Sequence, residues 1–119
     1  MKKDVRICGF GGQGVILAGF IIGKAASVFQ DFQAVQSQSY GPEARGGAAR
    51  SEVIISDEKI GYPRPIGVDC LVAMSQESFD SYRDDIRDDA TIILDPDLVK
   101  KHEIGRPVYK VQALKIAEE

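Results

Sequence analysis

Val5-Arg6-Ile7-Cys8-Gly9-Phe10-Gly11-Gly12-Gln13-Gly14-Val15-Ile16-Leu17-Ala18-Gly19 decides the fold. Val5 to Cys8 is a short apolar run of strand character, and Val15 onward is rich in Ala, Ile and Leu. Between them lies a turn in which Gly9, Gly11 and Gly14 satisfy the pattern G-x-G-x-x-G. The pattern carries meaning only with a strand before it and a helix after it, and both are present. Glycines let a backbone approach a ligand closely, and a helix N-terminus offers unpaired N–H groups and a positive dipole end.

Reading outward, Val15, Ala18, Ile22, Ala25 and Phe29 recur at three- and four-residue steps, which predicts a helix over Val15 to Gln30. Gly19 and Gly23 share one face of it, and each weakens a helix by about 1 kcal/mol relative to Ala, so a close approach to a sheet or a partner helix is expected there. Further strands are expected at Gln33 to Gln38, Ser51 to Ser56, Asp69 to Met74, Thr91 to Leu94 and Val108 to Val111. Ser75 is placed to N-cap a helix from Gln76 to Ile86, and Asp95-Pro96 to open a short turn or helix. Gly61 to Gly67, with two prolines, must be irregular, and Ser39 to Arg50 reads as a polar, glycine-bearing loop. Apolar strands alternating with helices predict an α/β domain: a three-layer, Rossmann-like, mostly parallel sheet with helices on both faces. No crossover helix is visible between Gln36 and Ser56, so some antiparallel pairing is expected around Ser51 to Ser56. The 119 residues suit a single domain, 1–119. A final helix from Ala113 that stops after about two turns without a C-cap signal leads to the expectation that the protein continues past Glu119.

Charge and composition exclude several classes. A net charge of -3 argues against a nucleic-acid binder, which needs a basic surface. The longest apolar run, Val15 to Ile22, is far short of a bilayer span, and no secretory signal is visible, so a cytoplasmic location is the default expectation. Two cysteines, Cys8 and Cys70, are too few for an iron–sulfur cluster, which takes about four, and both fall in strands where buried free thiols are common. His102 is the only histidine and no CxxC pair exists, so no zinc site and no Ser/His/Asp set is expected.

The glycine turn admits more than one reading. A dinucleotide site wants an acidic residue at the end of the second strand for the ribose hydroxyls, but that strand ends in Gln36, Ser37 and Gln38. Gly12 and Gln13 also add a fourth glycine and a fixed amide to the turn. A stand-alone nucleotide-binding module therefore remains as one alternative, and a purely structural strand-to-helix turn as another.

Two stretches together resemble a known family. One is Gly9-Phe10-Gly11-Gly12-Gln13-Gly14 with Ala18-Gly19. The other is Gln38-Ser39-Tyr40-Gly41-Pro42-Glu43-Ala44-Arg45-Gly46-Gly47, running on to Ala49-Arg50-Ser51-Glu52. Both are similar to signatures of the gamma subunit, or gamma domain, of 2-oxoacid:ferredoxin oxidoreductases, with the 2-oxoglutarate branch nearest. Val72-Ala73-Met74-Ser75-Gln76-Glu77 resembles a third. The resemblance implies the fold of domain III of pyruvate:ferredoxin oxidoreductase. It also implies a holoenzyme that oxidatively decarboxylates a 2-oxoacid on thiamine diphosphate and Mg2+, passes electrons through iron–sulfur clusters to ferredoxin, and forms an acyl-CoA. The partners so implied are alpha and beta subunits that bind thiamine diphosphate and a ferredoxin-like delta subunit. No catalytic residue, metal or cofactor is expected of this chain alone, which lacks a GDG metal-diphosphate motif.

The residues expected to matter are Gly11, Gly12, Gln13 and Gly14, as an anion-friendly turn on the coenzyme A side, and Tyr40, Glu43, Arg45 and Arg50. Arginines pair phosphate or carboxylate bidentately, and Tyr and Arg are favoured at protein interfaces, so the second group reads either as a coenzyme A contact or as a subunit interface. His102, in a run of charges, and the acidic group Asp84, Asp85, Asp88 and Asp89 read as solvated surface.

Overall fold

The computed structural model describes residues 2–29, 31–39, 48–59, 67–105 and 107–119. Among these, six strands form one sheet: β1 (Lys2–Phe10), β2 (Gln33–Ser39), β3 (Ala48–Ser56), β4 (Val68–Ala73), β5 (Ile86–Leu94) and β6 (Tyr109–Lys110), in the order β2-β3-β1-β4-β5-β6. The pairs β1–β4, β4–β5 and β5–β6 are parallel, while β3 runs antiparallel to both its neighbours, β1 and β2. The expected antiparallel element is therefore one reversed strand inside an otherwise co-directional sheet.

Alternation along the strands sorts side chains onto two faces. On one face α1 (Val15–Lys24) packs its Val15 against Ile7 and Ala49, with Val5, Ile16, Ala18, Ile22, Val72 and Met74 around them. On the other face α2 (Gln76–Tyr82) inserts Phe79, fully buried, among Cys8, Leu71, Ala73, Ile92, Leu94 and Val99. These are the helices on both faces that the apolar strands required. A third helix, α3 (Ala113–Glu118), buries no residue.

Of the two glycines of α1, Gly19 has the close approach expected of it, whereas a Cβ on Gly23 would meet Val53 and Ala34 only at ordinary contact, 3.6 and 3.8 Å. A Cβ on Gly19 would collide with the Ser51 hydroxyl and meet the Gln36 amide at 3.0 Å. That amide donates to the Ile16 carbonyl at 3.1 Å and to Ser51 Oγ at 3.0 Å, tying helix to sheet where they come closest. Ser75 caps α2 as expected, its hydroxyl accepting from Ser78 N at 3.2 Å.

Several boundaries differ from expectation. α1 is α-helical only to Lys24, and Ala25–Phe29 continues as a π-helical turn. β1 is longer at both ends than Val5 to Cys8, because β3 offers it a complete antiparallel ladder from Lys2↔Ser56 to Phe10↔Ala48. For the same reason β3 begins at Ala48, and Arg50 belongs to a strand rather than to the preceding loop. α2 stops at Tyr82 rather than Ile86. Arg6 Nη1 donates to the Tyr82 and Asp84 carbonyls at 2.9 and 2.8 Å, placing a cation at the helix C-terminus, and Asp85 at φ 63 turns the chain into β5. Asp88 and Asp89 consequently sit on a strand, exposed, and not on a helix end. β6 is two residues long where Val108 to Val111 was expected. The irregular stretch 61–66 lies outside the described residues.

Candidate functional site

The glycine turn stands at a topological switch point. β1 and β4 are adjacent and parallel, and the chain leaves β1 through α1 on one face and β4 through α2 on the other. In open α/β sheets, ligands bind in the crevice beyond the carboxyl ends of strands at such a point.

Gln13 laces that crevice together. Its Oε1 accepts from Phe10 N at 2.7 Å, at the end of β1, and its Nε2 donates to the Met74 carbonyl at 3.1 Å, just past β4. Gly9 is glycine because a Cβ there would run into the Gln13 amide and sit 3.0 Å from both Met74 Cβ and Val15 Cγ1. Gly12 and Gly14 take φ of 90 and 80, the left-handed region where only glycine is unstrained. Gly11 has neither constraint: its φ is ordinary and a Cβ would meet no described atom within 4 Å.

α1 opens on Gly14 with no side-chain cap and no acidic residue in its first turn. The first intrahelical bond is Ala18 N to Gly14 O at 2.8 Å, so the N–H groups of Val15, Ile16 and Leu17 lack helical acceptors. They border an apolar hollow of about 390 Å³ formed by Gly11, Gly12, Gly14, Val15, Ile16, Leu17 and Ala49. The arrangement suits an anionic group at the helix end with an apolar portion beside it.

Of the second group of expected residues, Tyr40, Glu43 and Arg45 lie outside the described residues. Arg50 projects onto the α2 face, where its guanidinium lies 3.6 Å from Glu52 and stacks 5.6 Å from the centre of the Tyr82 ring. Within the described residues it is thus engaged by the protein itself, on the sheet face opposite α1.

Both cysteine thiols are raised above their ordinary range by burial, Cys8 to about 11. They project to opposite faces of the sheet from neighbouring strands, Cys8 buried and Cys70 half-buried. Among the described residues no three His, Cys, Asp or Glu side chains converge as metal ligands, and no helix is long and apolar enough to cross a membrane. A separate hollow of about 630 Å³ is lined by Asp80, Arg83, Lys100, Lys101, His102 and Glu103, side chains of both signs. His102 is half-buried there rather than fully solvated. Gln76 moors that loop, accepting from Lys100 N and Lys101 N at 2.8 and 2.9 Å.

Composition and spacing did not single out a buried polar group on the α2 face, made by Asp4, Arg6 and Glu52. Its signal was the alternation Asp4, Arg6, Cys8, which puts two charged residues on the same side as a buried thiol.

Comparison with known proteins fits this geometry. A protein of Methanocaldococcus jannaschii named 2-oxoglutarate synthase subunit KorC is 51% identical over all of this chain and 65% of its own length. The chain thus spans about two thirds of that relative. A solved gamma subunit of a keto/oxoacid ferredoxin oxidoreductase from Geobacter sulfurreducens superposes with a TM-score of 0.78 at 44% identity, over 92% of this chain and 61% of that one. A 2-oxoglutarate:ferredoxin oxidoreductase from Magnetococcus marinus, solved with 2-oxoglutarate, coenzyme A and succinyl-CoA bound, shares the fold at a TM-score of 0.79 and 22% identity, over 98% of this chain and 21% of that one. Residues 4–119 match the pyruvate ferredoxin/flavodoxin oxidoreductase family, and the chain belongs to it.

Proposed function

We propose that this chain is the gamma component of a 2-oxoacid:ferredoxin oxidoreductase, with 2-oxoglutarate as the oxoacid, and that its glycine turn forms part of the coenzyme A side of the active site. The observation that carries the site assignment is the uncapped α1 N-terminus at the β1/β4 switch point, beside an apolar hollow and laced by Gln13. Coenzyme A offers what such a site takes: phosphates for free N–H groups and an apolar arm for the hollow. Relatives named as 2-oxoglutarate synthase subunits support the choice of oxoacid.

Gly11, Gly12 and Gly14 present backbone to the ligand, and Gln13 holds the turn in shape. Tyr40, Glu43 and Arg45 contact coenzyme A or a partner subunit in this reading, while Arg50, held by Glu52 and Tyr82 on the α2 face, is left to a subunit contact. Thiamine diphosphate with Mg2+ supplies the decarboxylation chemistry, and iron–sulfur clusters the electron path. Two thiols on opposite sheet faces do not fit a cluster, so the clusters are assigned to a ferredoxin-like delta partner; thiamine diphosphate is assigned to alpha and beta partners by the family resemblance, and no step is assigned to residues of this chain. The outer side of α1, with Leu17, Phe20 and Ile21 more than half exposed, supports an assembly role. The complex works in the cytoplasm and delivers electrons to ferredoxin.

Gly11→Ala tests the site. It is conformationally permitted and meets no described atom within 4 Å, so the assembled enzyme should keep its thermal stability while its KM for coenzyme A rises severalfold. An unchanged KM removes the turn from the coenzyme A side.

A further inference from the structure

Asp4 and Glu52 are diagonal neighbours on the α2 face of β1 and β3, Asp4 opposite Ile54 and Glu52 opposite Arg6, and they are 3% and 2% exposed. Glu52 Oε1 is well supplied: Arg6 Nε donates to it at 2.9 Å and Arg50 Nη1 lies at 3.6 Å. Glu52 Oε2 and both carboxyl oxygens of Asp4 are buried with no donor. Three orphan acceptors in one buried place are costly; among the described residues none of them receives an N–H, and Arg50 Nε nearby is itself buried without a partner.

Counting charges does not resolve this. Asp4, Arg6, Arg50 and Glu52 would sum to zero if all were ionised, but geometry denies Asp4 its share of the cations. Arg6 Nη1 is committed to the Tyr82 and Asp84 carbonyls. Arg50 leans on Tyr82. From β4, Asp69 adds another anion and takes the Asp4 backbone N–H at 2.8 Å, and Arg87 of β5 lies 3.3 Å from Asp69.

We propose that Asp4 and Glu52 hold one proton between them, with Asp4 as the neutral acid donating to Glu52 Oε2. A proton is the missing donor, and it satisfies two of the three orphan oxygens at once. Burial first, then the bond to and repulsion from Glu52, push the Asp4 carboxyl up to about 8 against the pull of Arg6. A folded state that keeps a proton the unfolded chain releases near 4 is most stable at acid pH. It loses that contribution progressively as pH rises from about 4 to about 8, and the loss levels off above. The pair is thus a proton-binding site built into the β1–β3 seam, beside the Arg6 cap of α2.

The experiment uses the full-length chain. Carboxyl-carbon NMR of Asp4 across pH 3 to 10 should show one carboxyl still protonated at pH 7. Asp4→Asn supplies a permanent N–H donor of the same shape, so its Tm above pH 7 should equal or exceed that of the parent, with the decline between pH 4 and 8 flattened. If Asp4 titrates in the ordinary carboxylate range, or if Asp4→Asn lowers Tm equally at every pH, the shared proton does not exist.

Discussion

Replacing Gln13 by alanine removes the two hydrogen bonds that lace the ends of β1 and β4, one accepted from Phe10 N at 2.7 Å and one donated to the Met74 carbonyl at 3.1 Å. A neutral hydrogen bond contributes about 1 kcal/mol net, which sets an upper figure of about 2 kcal/mol for the pair. Phe10 is exposed and water can replace the amide oxygen there, whereas Met74 is half-buried and its carbonyl loses more. The expected destabilisation is therefore about 1–1.5 kcal/mol, and Tm falls by about 4 °C per kcal/mol for a domain of this size. Function should suffer beyond stability, because the turn bearing the free N–H groups is no longer held. In the assembled enzyme, well below its melting temperature, KM for coenzyme A should rise while thiamine-dependent decarboxylation without coenzyme A is untouched. Gln13→Glu keeps the acceptor for Phe10 N but turns a carboxylate oxygen on the Met74 carbonyl, and should not restore wild-type behaviour. A Gln13→Ala protein with unchanged Tm and unchanged KM would refute the clasp.

The two glycines of α1 should part company. Gly19→Ala forces a methyl group onto Ser51 and the Gln36 amide and should cost about 1–3 kcal/mol in denaturant unfolding. Gly23→Ala meets Val53 and Ala34 at ordinary contact, 3.6 and 3.8 Å, and should gain up to about 1 kcal/mol from helix propensity. Phe79→Ala empties the centre of the α2-side core and should cost about 3–5 kcal/mol by the same assay. In thiol titration of the native chain Cys70 should react well before Cys8, which is fully buried and held at about 11.

The parts of the fold that local chemistry controls were legible in the residues. Ser75 is a cap because a hydroxyl before an apolar-periodic run has few better uses, and Gly19 signalled a close approach because a helix has no other reason to tolerate it. The glycine turn was legible as a strand-to-helix junction. What the residues hid depends on register. Lys2 and Lys3 join β1 because β3 presents a ladder opposite them, not because they favour strands. Arg50 read as a loop residue and is a strand residue for the same reason. Helix α2 ends early because Arg6, 76 residues away from Tyr82, caps its carbonyls. The Asp4–Glu52 pair was least legible of all. Each residue alone reads as surface charge, and only the antiparallel pairing of β1 with β3 buries them together.

The claim at the centre is that the backbone of the glycine turn meets coenzyme A in the assembled enzyme. Hydrogen exchange at the amides of residues 11–17 reports on this directly, with the complex measured alone and saturated with coenzyme A. Slowed exchange confined to the turn and the first helical turn of α1 is the expected result. Identical exchange with and without the ligand, in a complex that turns over normally, would contradict it.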